Sequence, residues 1–254
     1  MPNVLAIVAH PDDVEFVMAG TLLQLALRGW TVHYINVANG SCGSMSMDAE
    51  SISRIRLEES RRAAAIVPAV FYPPICTDMA IYYDAKTLAK VASVVRLANP
   101  TIVLTHSPQD YMEDHEATCR LAVGGAFVKS MPNFATDPPT APVGGPVAIY
   151  HAQPHGNQTP LGQPVFPTTL VNVSPVLERK IEMLKCHESQ EGWLDETQMI
   201  SSFVASMKAC ALEMGKLSKR FQEAEGFRRH LHLGYCEATF HPLKDALGQD
   251  VVDL

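Results

Sequence analysis

The 254-residue chain lacks the features that would mark it as disulfide-stabilised or membrane-spanning. Its six cysteines are scattered and form no C-x-x-C pair, which argues against a disulfide scaffold or a thiolate zinc site. No stretch approaches the ~20 consecutive apolar residues that a bilayer-spanning helix needs, and no secretory leader precedes the first apolar run. We therefore expect a cytoplasmic protein with no membrane partner.

Basic residues are also few, with 20 Lys and Arg against 27 Asp and Glu and a formal net charge of -7. This balance argues against a nucleic-acid partner, because such proteins displace counterions with clustered Lys and Arg. Hydrophobic residues make up 47% and charged residues 19% of the chain, as in ordinary soluble domains. We expect one domain over residues 1–254 that acts on a small molecule. Composition leaves the oligomeric state open, and a homo-oligomer is compatible with it.

Short apolar runs alternate with amphipathic segments through the first half of the chain. Strands are predicted at 4–9, 32–37, around Val70 and at 101–105, with helices starting at Val14 and covering 50–67 and 87–98. This alternation predicts an α/β, Rossmann-like fold, with a mostly parallel sheet flanked by helices. Ligands of such sheets bind at the carboxyl ends of the strands, where the segments carrying His10 and His115 begin.

The second half of the sequence has a different character. Nine of the eighteen prolines fall in residues 131–167, which predicts long loops over the sheet edge that line a substrate pocket, with one strand at 147–150. Apolar residues then recur at helical spacing from Ile200 to Phe221, which predicts a helical C-terminal part.

The segment His10-Pro11-Asp12-Asp13 places an imidazole and two carboxylates on one strand-to-helix turn. A helix cap explains one aspartate, but it explains neither the second one nor the histidine. A second cluster, from His106 to His115, adds two imidazoles and several carboxylates. Catalytic zinc typically has three His or carboxylate ligands and an open fourth position, so the two clusters together predict one metal centre.

These motifs resemble those of a known family. Ala9-His10-Pro11-Asp12-Asp13 resembles the signature of the PIG-L or LmbE-like zinc-dependent N-acetylglucosaminyl deacetylases, and the similarity continues at Gly20-Thr21, Asn39-Gly40, Arg56-x-x-Glu59, Asp114-His115 and 224–228. The resemblance implies that His10, Asp13 and His115 bind zinc, that Asp12 is the general base, and that the substrate is an N-acetylated amino sugar or its conjugate. Other divalent metals also bind His/Asp sites.

One position departs from the family pattern. The second metal motif often reads H-P-D-H, and here Met112 replaces its first histidine, which faces the oxyanion or the leaving amine. Methionine cannot donate a proton, so either another residue takes over or the step runs through Asp12 alone. As the replacement we expect His155, acting as a catalytic and substrate-binding residue. Weaker candidates are His187, Tyr111 and His232.

Further side chains are predicted around the metal and the substrate. Arg56 resembles the arginine that contacts substrate hydroxyls in the family, and its alternative role is an exposed ion pair with Glu59. Tyr111 is predicted to bind substrate as well. Asp110 and Asp114 are expected to orient the ligating imidazoles.

Other functions are compatible with parts of this pattern. The same chemistry could act on a different acylated amine, and the loss of histidine at position 112 suggests a sugar-binding relative without turnover, although the intact Asp12 argues against that. A dinucleotide-binding oxidoreductase is excluded because His-Pro-Asp-Asp stands where its glycine-rich turn is required.

Overall fold

In the computed structural model, residues 1–190 and 203–254 are described. Eight strands form one sheet: β1 Asn3–Val8, β2 Thr31–Asn36, β3 Val70–Tyr72, β4 Ile102–Thr105, β5 Ala148–Ala152, β6 Thr169–Asn172, β7 Ala224–Arg229 and β8 Val251–Asp253. The α-helices of the described residues are α1 Asp13–Val17, α2 Ala19–Ala26, α3 Ala49–Ile66, α4 Ala85–Ala98, α5 Glu113–Val128, α6 Leu177–Lys185, α7 Phe203–Ser218 and α8 Pro242–Leu247.

The strand order is β3-β2-β1-β4-β5-β7-β6-β8. Strands β1 to β5 are parallel, and β7, β6 and β8 extend the sheet with antiparallel pairs. The predicted α/β class with a mostly parallel sheet is therefore confirmed. Ile7 pairs with Thr105, so the segments that follow β1 and β4 leave the sheet side by side. This adjacency brings the two predicted clusters together.

The sheet is buried on both faces. Along β1, Val4, Ala6 and Val8 pack on one side, in a core shared with α2, whereas Leu5 and Ile7 pack on the other side against residues of α4 and α5. Burial on both sides explains why this strand is continuously apolar rather than alternating. Among the described helices, none is long and apolar enough to cross a membrane.

Two predicted elements differ from the structure. The helix predicted from Val14 is interrupted at Met18, whose φ of -148° separates α1 from α2. The C-terminal part contains α6, α7 and α8, as predicted, but also β6, β7 and β8. These strands are three to six residues long, too short for a periodicity of their own, and the sheet rather than the local pattern decides their conformation. Ile200, where the helical pattern begins, lies outside the described residues.

The proline-rich region 131–167 has two parts. Its first part packs on α4, where Ser93 Oγ donates to the carbonyl of Pro138 at 2.9 Å and Arg96 Nη1 to that of Thr140 at 2.8 Å. Its second part follows β5 and carries Gln153 and His155 to the carboxyl end of the sheet. The predicted pocket role of the region therefore concerns the second part.

Candidate metal and catalytic site

The turn between β1 and α1 fixes the first cluster through its own backbone. The amide of His10 donates to Asp13 Oδ2 at 2.6 Å, and the amide of Asp13 donates back to the carbonyl of His10 at 3.3 Å. Asp12, between them, has a φ of 104°, a left-handed conformation that is strained for a residue with a side chain. The turn thereby holds two carboxylates and an imidazole at the strand end.

His115 lies in the first turn of α5 and faces this turn. Its Nε2 is 3.4 Å from Asp13 Oδ1, and His10 Nδ1 is 3.6 Å from Asp13 Oδ2. Ligands bound tetrahedrally at ~2.0–2.1 Å from a zinc-sized ion lie about 3.3 Å from each other. The spacing of the three side chains therefore fits one small divalent cation, and the structure brings the predicted ligand set together.

A second carboxylate orients each of the two imidazoles. His10 Nε2 is 3.0 Å from Asp114 Oδ2, and His115 Nδ1 is 3.0 Å from Asp110 Oδ1. In a neutral ring, the proton shared with the carboxylate leaves the other nitrogen, which faces Asp13, with a lone pair for a cation. Burial lowers the pKa of both histidines, but the carboxylates outweigh it and raise the pKa of His10 to about 9 and that of His115 to about 10. The geometry matches the orienting role predicted for Asp110 and Asp114.

His106 supports the site without being free to bind the ion. Its ring stacks on that of His115 with centroids 4.0 Å apart, and its Nε2 accepts a hydrogen bond from the amide of Ala9 at 2.8 Å. Burial lowers the pKa of His106, consistent with a neutral ring. His106, Asp110 and His115 also lie close enough together to hold a cation. However, the hydrogen bond from the Ala9 amide occupies the His106 nitrogen that is nearest to Asp13.

The carboxylate of Asp12 is bonded to Arg56. Arg56 Nη2 donates to Asp12 Oδ2 at 2.9 Å and also to the carbonyl of Pro11, so one guanidinium holds both the side chain and the backbone of the strained turn. Burial raises the pKa of Asp12 to about 6, against the opposing charge of Arg56. A carboxylate in this range can take up a proton near neutral pH.

Arg56 is buried, with 4% exposure, whereas the alternative role of an ion pair with Glu59 required an exposed side chain. Glu59 instead accepts bonds from the amide and hydroxyl of Ser189, at 2.8 and 2.6 Å. The loop after β2 passes over the guanidinium, and a Cβ at Gly40 would lie 2.6 Å from Arg56 Cδ. Glycine is required there for this close approach and for a φ of +76°.

Tyr111 and His155 stand on one side of the metal-ligand group. The Tyr111 ring lies edge-on to His115, with centroids 5.6 Å apart, and 6.1 Å from the His155 ring. Burial raises the pKa of Tyr111, which keeps the phenol protonated, and burial lowers the pKa of His155, which favours a neutral ring. The two side chains can therefore donate or exchange a proton close to the ligands.

Of the three weaker candidates, Tyr111 lies in the cleft, whereas His187 and His232 lie elsewhere. His187 is completely buried, with its Nε2 3.2 Å from Glu15 Oε2, and neither His187 nor His232 lines the cleft. Met112 does line the cleft, and it caps the N-terminus of α5 without a side-chain hydrogen bond. Its thioether therefore occupies the place where the resemblance expects a histidine.

A cleft of about 180 Å³ opens over these residues. Sequence reasoning missed several of its lining residues, namely Phe16, Val17, Cys42, Asp78, Met79, Gln153, Gln190 and Phe203. Asp78 also fixes the loop after β2, because its two carboxylate oxygens accept from the amides of Gly40 and Cys42 at 2.7 and 2.8 Å. No local motif marks these positions, because they come from loops and helices that are far apart in sequence.

Residues 5–124 match the model of the PIG-L family, described as GlcNAc-PI de-N-acetylase. The matched range contains both clusters of the site. Just under half of the chain is therefore similar to the PIG-L family. The predicted resemblance is thereby confirmed, and family and relatives together support a hydrolytic deacetylase.

The names of two relatives of this chain describe two different activities. The diacetylchitobiose deacetylase of Thermococcus kodakarensis is 27% identical over 237 residues, covering 89% of this chain and 82% of the relative. The 4-oxalmesaconate hydratase of Pseudomonas putida is 26% identical over 197 residues, covering 74% of each. The crystal structure of 4-carboxy-2-hydroxymuconate hydratase from Pseudomonas putida has the same fold, with a TM-score of 0.78 and 22% identity over 95% of this chain and 99% of that one.

The PIG-L match ends at residue 124, and later parts of the chain complete the cleft. These parts supply Gln153, His155, Gln190 and Phe203. The candidate metal ligands thus lie within the family match, whereas part of the cleft wall lies beyond it.

Proposed function

We propose that this protein is a zinc-dependent deacetylase that removes the N-acetyl group from an amino sugar or its conjugate. The observation that carries this proposal is the arrangement of His10, Asp13 and His115 around one cation-sized space, with the Asp12 carboxylate beside it. A divalent ion in this space supplies Lewis acidity, which polarises the amide carbonyl and lowers the pKa of water. Zinc is favoured by two imidazoles and one carboxylate.

Asp12 is the general base in this proposal. Asp12 lies next to two of the proposed ligands. Its carboxylate is bonded to Arg56 and is not itself a proposed ligand. Because the guanidinium bonds Oδ2, we expect Oδ1 to accept the proton of the attacking water. Arg56 thus positions the base, in addition to the substrate contact that the resemblance implies.

Tyr111 and His155 act on the opposite side of the amide. The protonated phenol of Tyr111 is a hydrogen-bond donor for the oxyanion that develops on the carbonyl oxygen. His155, whose ring neighbours that of Tyr111, would exchange a proton with the leaving amine. Together they would replace the histidine that the family often has at position 112.

The charge of the cleft agrees with a neutral or cationic small-molecule substrate. Four aspartates line it, Asp12, Asp13, Asp78 and Asp110, and among the described lining residues Arg56 is the one guanidinium or ammonium. An amide of an amino sugar brings no negative charge, and its free-amine product is cationic. The deacetylase relative acts, by its name, on diacetylchitobiose.

A second candidate is addition of water to a carbon–carbon double bond of a carboxylated substrate, as the name of the hydratase relative suggests. Such a substrate needs cationic groups for its carboxylates. Arg56 is already engaged with Asp12, so the described cleft favours the amide. The same amide chemistry on another acylated amine, or sugar binding without turnover, are the remaining alternatives.

The test is a substrate panel with zinc-loaded protein. N-acetylglucosamine, diacetylchitobiose, other N-acetylated amines and an unsaturated dicarboxylate are incubated, and acetate, free amine and loss of the double bond are measured. We expect acetate and amine to be released in equal amounts, and the release to fall by roughly 10²- to 10⁴-fold in Asp12→Asn. Loss of the double bond without acetate would support the hydratase, and sugar binding without any acetate would support a non-catalytic relative.

A further inference from the structure

A second, smaller cavity of about 40 Å³ lies beside the cleft. The two spaces share the side chains of Phe16, Val17, Gln153 and His155 as walls. Phe16 and Val17 follow the metal-ligand turn on α1, and the Phe16 ring lies 5.4 Å from that of His155. The side cavity, as we call it, therefore adjoins the cleft on the side where His155 stands.

The walls of the side cavity are mainly apolar. In addition to Phe16 and Val17, they include Pro154, Ala211, Met214, Ala224 and Gly226. Three of these residues, Ala211, Ala224 and Gly226, are small, and all three are buried. Small buried residues leave the space open next to the larger side chains, and apolar walls favour an apolar occupant.

Two charged residues also line the side cavity, but their charges are compensated. Lys180 Nζ bonds Glu225 Oε1 at 2.6 Å, and both side chains are at most 3% exposed. Glu225 also accepts bonds from the amides of Gly20 and Thr21. The pair is thus satisfied within the protein and demands no charged ligand.

We propose that the side cavity is a subsite for the acyl chain of the substrate, so that the enzyme accepts linear acyl groups longer than acetyl. This inference rests on the proposed amide hydrolysis. In this orientation the acyl chain extends along the walls that the two spaces share, and the amine portion remains in the cleft. A water-sized group needs roughly 10–15 Å³ of such space, so the side cavity holds about three carbon atoms beyond the acetyl methyl.

The expected signature is a chain-length optimum. Burying one methylene is worth about 0.8 kcal/mol, or roughly a fourfold gain in kcat/KM, as long as the cavity has room. From N-acetyl- to N-propionyl- and N-butyrylglucosamine, kcat/KM should therefore rise at each step. It should fall again for N-octanoylglucosamine, whose chain exceeds the cavity. A steady decrease from acetyl onward would overturn the proposal.

A filled cavity provides the second test. Ala211→Leu places a larger side chain in the wall, and it should lower the butyryl-to-acetyl ratio of kcat/KM by about fifteenfold, the value of two lost methylenes. The matched control is Ala209→Leu, on the same helix but exposed, which should leave the ratio unchanged. Circular dichroism of both variants checks the fold. An unchanged ratio in folded Ala211→Leu would also overturn the subsite.

Binding separates this inference from the proposed function. Calorimetric titration of zinc-loaded Asp12→Asn with N-acetyl- and N-butyrylglucosamine requires no turnover. Tighter binding of the butyryl sugar, lost in the double variant with Ala211→Leu, supports the subsite even if wild-type protein releases no acid from either sugar. Equal affinity for the two sugars, or no binding of either, contradicts it even if acetate release is observed.

Discussion

Glu225 bonds Thr21 across 204 positions of the chain. Its Oε2 accepts from the amide and hydroxyl of Thr21, at 2.7 and 2.6 Å, and its Oε1 accepts from the amide of Gly20 at 2.8 Å. A Cβ at Gly20 would lie 2.5 Å from Val173 Cγ1, so only glycine allows this approach. The segments Gly20-Thr21 and 224–228, which the sequence linked only through the family resemblance, thus form one contact. Through this contact, β7 holds the N-terminus of α2.

We predict that Glu225→Gln destabilises the protein without altering the chemistry. The change leaves the buried ammonium of Lys180 without its counter-charge, and breaking one side of a buried ion pair typically costs about 3–5 kcal/mol. Urea denaturation of the zinc-loaded protein measures the loss. Glu58→Gln is the control, because its ion pair with Arg61 is exposed, and a change of under about 1 kcal/mol is expected there. Equal losses in both variants would mean that the contact contributes little.

Asp12→Asn should separate the base from the ligands. The amide retains the size of the side chain but cannot take up a proton, so kcat should fall by roughly 10²- to 10⁴-fold while zinc stays near one equivalent. In His115→Ala, zinc should be lost together with activity, because one of the three donors is gone. Metal content by atomic emission and acetate release are measured on the same samples. Equal zinc loss in both variants would show that base and ligand were misassigned.

Arg56→Lys tests whether Arg56 acts mainly by positioning the base. Lysine keeps the charge but cannot bond Asp12 Oδ2 and the Pro11 carbonyl as the guanidinium does. We expect kcat to fall by on the order of 100-fold with little change in KM, since a displaced base affects the reaction more than binding. Arg61→Lys, on the exposed face of the same helix, is the control. A raised KM at unchanged kcat would instead favour a substrate contact.

Met112→His restores the residue that the family often has at this position. The variant should keep its zinc, because Met112 lines the cleft but belongs to neither group of possible ligands. If Tyr111 and His155 perform the missing role, then His155→Ala should lose activity in the wild-type background and lose less in the Met112→His background. Steady-state kinetics of the four combinations measure this coupling. Additive effects would argue against a shared role.

Metal removal should affect both activity and stability. A chelator should abolish acetate release reversibly, with recovery on adding zinc, and it should lower the melting temperature, because a ligand that binds only the folded state stabilises it. Differential scanning fluorimetry with and without zinc measures the shift. Full activity after verified metal removal would contradict the proposed mechanism.

The sequence by itself determined the α/β class and the parallel half of the sheet, and it predicted the candidate residues of the metal site. These inferences depend on local patterns: buried strands are continuous apolar runs, and the side chains of one turn are adjacent in the chain, as at His10, Asp12 and Asp13. It did not determine the antiparallel strands β6 to β8, whose conformation is imposed by pairing with β5 and with one another.

Tertiary structure alone decided which partners these residues have. The buried bond from Arg56 to Asp12, the bond from the Ala9 amide to His106, and the side cavity beside His155 all join segments that are distant in sequence. An arginine with the same neighbours along the chain can form an exposed ion pair or buried hydrogen bonds, because its burial depends on what packs over it. Here the loop after β2, which contains Gly40, packs over Arg56. The sequence shows this loop, but only the fold sets its position over Arg56.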